Sequence, residues 1–328
     1  MRKLYVLIVL ALLSASAKAQ YAWDIGFHLG GANYLGEMGG KEKPRRDFIW
    51  DLKLSQTRWA IGGFARRKIN RTISINAGLM YLRIQGADDL SIYQPRRYRN
   101  LNFRNDIFEL YVRGELTLYH DNDIGGRGRY KNDFKLFAYV GAAVFYHNPK
   151  GQYVGTDNNV LSNGEWVSLR PLRTELVDYS PIGFSIPAGL GFHLTFKRRH
   201  RIGWDFGWRT TFTDYLDDAS TVYQDPNLMP DGNGGAASYM YDQSGPALAE
   251  AYSNDPNLAS WWPYQYGWEE ERSDGRDNIR GDPTHNDSYL TMTLTYSYVL
   301  KGQSNFYRQR YSWVRGKKRI GRKSRAKF

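Results

Sequence analysis

Apolar and polar residues alternate along this chain with a period of two. In the segment 21–29 the odd positions are Tyr21, Trp23, Ile25, Phe27 and Leu29, and the even ones Ala22, Asp24, Gly26 and His28. Successive side chains of a strand point to opposite faces, so one face is apolar and the other small or polar. The alternation returns at Trp59, Ile61, Gly63 and Ala65, and again at Ile73, Ile75, Ala77, Leu79 and Tyr81. A fourth run sets Phe108, Leu110, Val112, Leu116 and Leu118 against Glu109, Arg113, Glu115 and Thr117. Segment 136–146 is apolar on both parities and reads as a strand through its Val, Phe and Tyr content. In the sixth run Phe184, Ile186, Leu190, Phe192 and Leu194 share a face, and Pro187, which lacks a ladder donor, points to a strand end or a bulge. The seventh sets Ile202, Trp204, Phe206 and Trp208 against Asp205 and Arg209, and the eighth sets Leu290, Met292, Leu294, Tyr296 and Tyr298 against Thr291, Thr293, Thr295 and Ser297.

These are eight strands of about nine to thirteen residues, the length a tilted strand needs to cross a bilayer. A soluble sandwich also alternates, and the connections separate the two. They run to about 28, 4, 21, 15, 37, 5 and 74 residues, in the order that short periplasmic turns and long extracellular loops produce. The pattern predicts an all-β fold, an eight-stranded antiparallel transmembrane β-barrel over residues 20–300 with long extracellular loops. The short turns at 68–71 and 197–201 are basic, and Trp23, Trp59, Trp204, Trp208 and Tyr298 lie toward strand ends as an aromatic girdle would.

The first residues assign a compartment. Arg2 and Lys3 precede an apolar run at 4–13, and Ala17-Lys18-Ala19 supplies a small-x-small site. Residues 1–19 therefore read as a secretory signal peptide cleaved between Ala19 and Gln20. The apolar run is too short for a membrane helix, and no later one is longer than segment 136–146.

Composition sharpens this reading. The 328 residues contain no Cys, which excludes disulfides, thiol nucleophiles, iron–sulfur clusters and a lipidated cysteine. A net charge of +12 suggests nucleic acid until it is located. Segment 301–328 holds eleven Lys and Arg and no acid, and the signal segment holds three more, so the barrel is close to neutral and no nucleic-acid partner is expected. An even strand count places residues 301–328 in the periplasm as a basic C-terminal extension. That tail is either a solvated appendage on anionic outer-membrane lipid or an adaptor for an acidic periplasmic protein. In the adaptor reading Tyr307, Tyr311 and Trp313 are apolar anchors among Arg315, Lys317, Lys318, Arg319, Arg322, Lys323 and Arg325.

An eight-stranded barrel is just wide enough to be filled by its own side chains. The inward parity carries Asp24, His28, Glu109, Arg113, Glu115, His193, Asp205 and Arg209. Opposite charges in so dry a space should pair, which makes Glu109, Arg113, Glu115, Asp205 and Arg209 a structural polar network rather than an ion path. His147, Asp214, Asp217, Asp218 and His285 fall near the extracellular rim, where acid–base residues could act. No G-x-S-x-G, H-E-x-x-H or phosphate-binding glycine loop accompanies them. The Asp cluster reads as turn and capping chemistry, or a weak calcium site. The sequence thus predicts no enzyme and no catalytic, cofactor or metal site. Loop 213–286, with its Trp261, Trp262, Tyr264, Tyr266 and Trp268, is a lid over the mouth or a patch for a partner.

Three segments also carry a family resemblance: WDIGFHLGGANYLGEMGG (23–40), RNLNFRNDIFELYVRGE (99–115) and TDYLDDASTVYQDP (213–226). Together they resemble the Bacteroidetes outer-membrane barrel family that includes PorG of the type IX secretion system, and the DYLDD run is the most specific element. The resemblance implies a non-enzymatic barrel that anchors or positions the periplasmic ring of the secretion machinery, a ring formed by a lipoprotein and its partner subunit. The periplasmic turns and the tail would be the contact surface. A free-standing small outer-membrane channel or ligand-binding porin-like barrel is the alternative.

Overall fold

The alternating segments close into a ring. A computed structural model describes residues 23–36, 38, 54–122, 124, 132–197, 199–257, 266–267 and 279–300. Residues 1–19, the pair Ala19 and Gln20, and the whole extension 301–328 lie outside the described residues, as do Trp261, Trp262, Tyr264 and Trp268. The strands are β1 (Trp23–Leu35), β2 (Arg58–Lys68), β3 (Ile73–Ala87), β4 (Asn102–Asp121), β5 (Asn132–Tyr146), β6 (Pro149–Gln152), β7 (Trp166–Ser168), β8 (Ile182–Phe196), β9 (His200–Thr211) and β10 (Ser288–Leu300). Eight of them pair in the antiparallel order β3-β2-β1-β10-β9-β8-β5-β4, and β4 returns to β3 along Ile73↔Leu116 to Ala87↔Asn102. The closed eight-stranded antiparallel barrel leaves no free edge. The short β6 and β7 continue the sheet outward from β4.

The polarity is inside out. Leu294 is 65% exposed and Leu79 64%, while Asp205 and Arg209 are buried. Such an exterior fits hydrocarbon, and a closed sheet satisfies its own backbone there. On β4 the outward apolar run from Phe108 to Leu118 covers about ten residues, which at ~3.3 Å each and a tilt of ~40° stands ~25 Å tall, the height of a barrel's apolar band. Trp23 and Tyr298 mark the end of the band nearest the short turns, and Trp59, Tyr81 and Phe108 form an aromatic row at the other.

Two expectations are corrected. The eight barrel strands run from 11 to 20 residues rather than about nine to thirteen. On β3 and β4 the extra residues alternate between buried Ile84, Phe103, Asn105 and Ile107 and partly exposed Arg83, Gln85, Arg104 and Asp106. The pleat therefore continues beyond the apolar band with a polar outer face, and a search for an apolar outer face stops too soon. Pro187 sits in the middle of β8 rather than at an end, where the β5–β8 ladder is interrupted between Val140↔Ala188 and Ala143↔Ser185.

Above the barrel lie, among the described residues, three short helices, α1 (Gln94–Arg99), α2 (Ala236–Met240) and α3 (Ser244–Asn254). Two small apolar clusters form around α2, Met240 packing with Tyr153, Leu161 and Leu169, and Ala237 with Tyr223, Met229 and Tyr241. The main core fills the upper lumen with Leu82, Ile84, Phe103, Ile107, Phe145 and Tyr289, and Leu216 and Ala219 of the long loop belong to it. The described part of that loop is thus a lid seated in the mouth.

Candidate functional site

Two polar assemblies are buried, one in the lumen and one under the lid. Nearest the short turns, Asp24 accepts from Arg66 at 3.1 Å and from Ser297 at 3.0 Å, and pairs with Arg201 at 2.8 Å. Arg66 also pairs with Glu115 at 2.7 Å, and Asn76 donates to the same carboxylate. At mid-height Arg113 pairs with Asp205 at 2.5 Å and with Glu115 at 3.5 Å, its guanidinium 4.0 Å from the centre of the Tyr139 ring. Tyr139 donates its own hydroxyl to Asp205 at 2.6 Å. Toward the mouth, Arg209 pairs with Glu109 at 3.4 Å and donates to Thr291, while Tyr289 donates to Glu109 at 2.6 Å. His28 and Tyr111 hydrogen-bond at 2.8 Å, and His193 packs on the Phe137 ring.

Glu109, Arg113, Glu115, Asp205 and Arg209 are therefore brought into one stack of charge pairs. Removing one partner of such a pair strands the other, at a cost of about 3–5 kcal/mol. Arg66 and Arg201, which the sequence reading missed, join this stack. The parity of Arg66 opposite Ile61, Gly63 and Ala65 could have found it. Arg201 reads locally as part of a basic turn.

The rest of the lumen is filled by rings laid on glycines. Phe64 covers Gly26, Tyr111 covers Gly78, Tyr139 covers Gly189, and Phe145 covers Gly183, each so closely that a Cβ there would lie under 3.0 Å from the ring or its hydroxyl. These glycines are close-approach positions: the missing side chain is where the neighbouring strand's aromatic group goes.

The second assembly is a carboxylate clasp. Asp287 accepts from the Leu216 amide at 2.9 Å, and Asn105 donates to the Leu216 carbonyl at 2.8 Å, so Leu216 is pinned from both sides. Tyr34 donates to Asp217 at 2.6 Å and also touches Asp287. The Tyr34 hydroxyl thus sits between two buried carboxyl groups. Burial pushes Asp217 up to about 6 and Asp287 well above the usual carboxylate range, with Asp217 and Asp214 adding repulsion to the latter.

Beside this pair, Arg280 is fully buried and pairs with Glu175 at 2.7 Å and with Asp218 at 3.5 Å, and it donates to the carbonyls of Tyr241 and Asp218. Asp218 accepts from Tyr179 and Thr174, and its backbone is left-handed at φ +70°. Burial raises its carboxyl to about 6 although Arg280 pulls the other way. Glu175 accepts from the amides of Ser220 and Thr221. The clasp thus ties the 213–221 segment to the 174–179 segment through one guanidinium.

His147, Asp214, Asp217 and Asp218 are buried in these roles rather than displayed at a rim. Burial pushes His147 down to about 4, leaving it neutral beside Asn105 and stacked on Tyr179. His285 stands in an exposed turn with Asp282 and Thr284. Among the described residues no group of three or more His, Asp or Glu is arranged to hold a metal.

Solved structures of similar outline include the attachment invasion locus protein Ail of Yersinia pestis, in complex with the heparin analogue sucrose octasulfate. It is 8% identical at a TM-score of 0.35, covering 86% of this chain and 100% of Ail. The N-terminal β-barrel domain of OprF from Pseudomonas aeruginosa is 7% identical at 0.31, with the same coverage of each chain. No curated protein matches the sequence. A family model does match, over residues 2–260, which takes in β1 to β9 and the whole 213–221 strap. The chain belongs to that family, described as a domain of unknown function, DUF6089.

Proposed function

We propose that this protein is a non-enzymatic outer-membrane barrel of the type IX secretion machinery, where it anchors or positions the periplasmic ring of a lipoprotein and its partner subunit. The observation that carries the reading is the filled and lidded lumen. With Arg113 paired at mid-height, Arg209 paired nearer the mouth and Leu216 seated in the mouth itself, the working parts of such a barrel are its surfaces. One of those surfaces is basic: Lys68, Arg71, Lys197 and Arg199 cluster at the periplasmic strand ends, a complement for an acidic partner. The resemblance in segments 23–40, 99–115 and 213–226 supplies the partner's identity, and the tail 301–328 extends the same charge.

The test is to delete residues 316–328 and recover the barrel from native envelopes under mild detergent. Loss of the ring proteins from the pull-down, with the barrel still folded, is the expected result. Undiminished co-purification would remove the tail from the interface. Steady conductance of the purified barrel in planar bilayers would favour a channel instead.

A further inference from the structure

Outward positions on the extracellular half of the eight barrel strands are almost all uncharged. The exceptions are Arg83 on β3 and Arg104 and Asp106 on β4, neighbours in one register. Directly below them is an apolar groove of about 520 Å³, walled by Ile61, Leu79, Tyr81, Phe108, Leu110 and Tyr146. Arg83 lies two residues beyond Tyr81, and Asp106 two before its partner Phe108, so the charges stand ~7 Å above the aromatic row. That is where lipid headgroups meet acyl chains if the aromatic row marks the interface.

The charges are held rather than loose. Arg83 donates to both oxygens of Asp106, at 2.6 and 3.0 Å, and lies against the Trp59 ring. Arg104 stacks on Trp166 at 4.2 Å from the ring centre. Arg58 donates to Gln85 at 2.8 Å, and Lys150 pairs in register with Arg104. One acid among four bases leaves a positive sector above an apolar slot, the complement of an amphiphile with an anionic head.

We propose that this sector of β2 to β5 binds a phosphate-bearing lipid of the surrounding leaflet, with an acyl chain in the groove and the phosphate on Arg83 and Arg104. The site rests on the membrane reading above. Its occupant is committed by charge complementarity, since the rest of the extracellular apolar belt offers chains a surface but no cation.

The test reconstitutes the full chain in vesicles of equal phosphatidylglycerol and phosphatidylcholine, extracts it gently, and counts retained lipids by native mass spectrometry. The wild type should keep phosphatidylglycerol over phosphatidylcholine by about thirtyfold, from about 1 kcal/mol for each of two arginines. R83Q/R104Q should fall to parity, and R83K/R104K, which keeps the charge, should retain the preference. Heat-modifiable electrophoretic mobility reports that each variant is folded. Equal retention of both lipids by the wild type, or a preference surviving in folded R83Q/R104Q, would overturn the site. Failure of the wild type to insert into either lipid would overturn the membrane reading itself and the site with it.

Discussion

Replacing Arg280 with Met should release the lid while leaving the barrel closed. Arg280 is buried and neutralises Glu175 at 2.7 Å and Asp218 at 3.5 Å. Without it two carboxyl groups face each other out of water, and stranding buried charges in this way costs about 3–5 kcal/mol. Protonation sets the pH dependence. An acid whose closed-state pKa is raised binds more protons when the lid is shut, so closure is favoured at low pH and weakens as pH rises through the raised value. For Asp218, raised from 3.8 to about 6, that difference amounts to ~3 kcal/mol, present below pH 4 and lost by pH 7. In R280M the carboxyl rises further, so the defect should be largest near pH 8 and shrink toward pH 5. Hydrogen exchange of peptides covering 172–179 and 216–221, on the full chain in detergent, is the assay. At pH 8 a loss of 3 kcal/mol speeds exchange about a hundredfold, with heat-modifiable mobility unchanged. Unaltered exchange at pH 8, or equal defects at pH 5 and pH 8, would refute the clasp.

Further expectations concern the lumen and the strap. R113M strands Asp205 and should lower the urea midpoint of unfolding by an amount equivalent to about 3–5 kcal/mol, whereas R113M/D205L, which removes both charges, should recover most of it. G189A places a Cβ against the Phe206 carbonyl and the Tyr139 hydroxyl and should cost stability. G114A, on the outer face with its nearest neighbour at 3.9 Å, should be neutral or slightly stabilising in the same titration. Y34F should loosen Leu216 by about 1–3 kcal/mol, through loss of the hydroxyl shared by Asp217 and Asp287, and exchange of the 214–219 amides reports it.

The barrel was legible because period-two alternation is a local signal, and seven of its eight strands carry it; β5, apolar on both parities, declared itself through its Val, Phe and Tyr content. The inward charges followed from parity alone, which is why Glu109, Arg113, Glu115, Asp205 and Arg209 could be placed on one face before any pairing was known. What was illegible is long-range. Residues 102–107 alternate as well as any strand, but their outer side chains, Arg104 and Asp106, are polar because they stand beyond the apolar band. The β6–β7 hairpin and α1 are too short to declare themselves and depend on the lid for burial. Arg280 meets Glu175 across 105 residues of chain, a separation at which no spacing rule operates. The Asp residues of the strap looked like turn chemistry, and Asp217 does accept from the Ala219 amide. Their burial came from Tyr34 and Arg280, which nothing nearby in the sequence announces.

The seam of the barrel has a kinetic consequence. β1 pairs with β10 over thirteen register positions, from Trp23↔Leu300 to Leu35↔Ser288, which joins segments more than 250 residues apart. Every other barrel pairing except β5–β8 links strands joined by a turn, a loop or the lid segment. Closing the seam draws the largest loop of the fold, so the entropy of that step is the greatest and its contacts form last. Until then the nascent sheet carries two unpaired edges, β1 and β10, both apolar on the outside. A chain halted before residue 288 should remain an open, aggregation-prone sheet, and the rate at which the finished one matures should be set by how its two ends are brought together in the membrane.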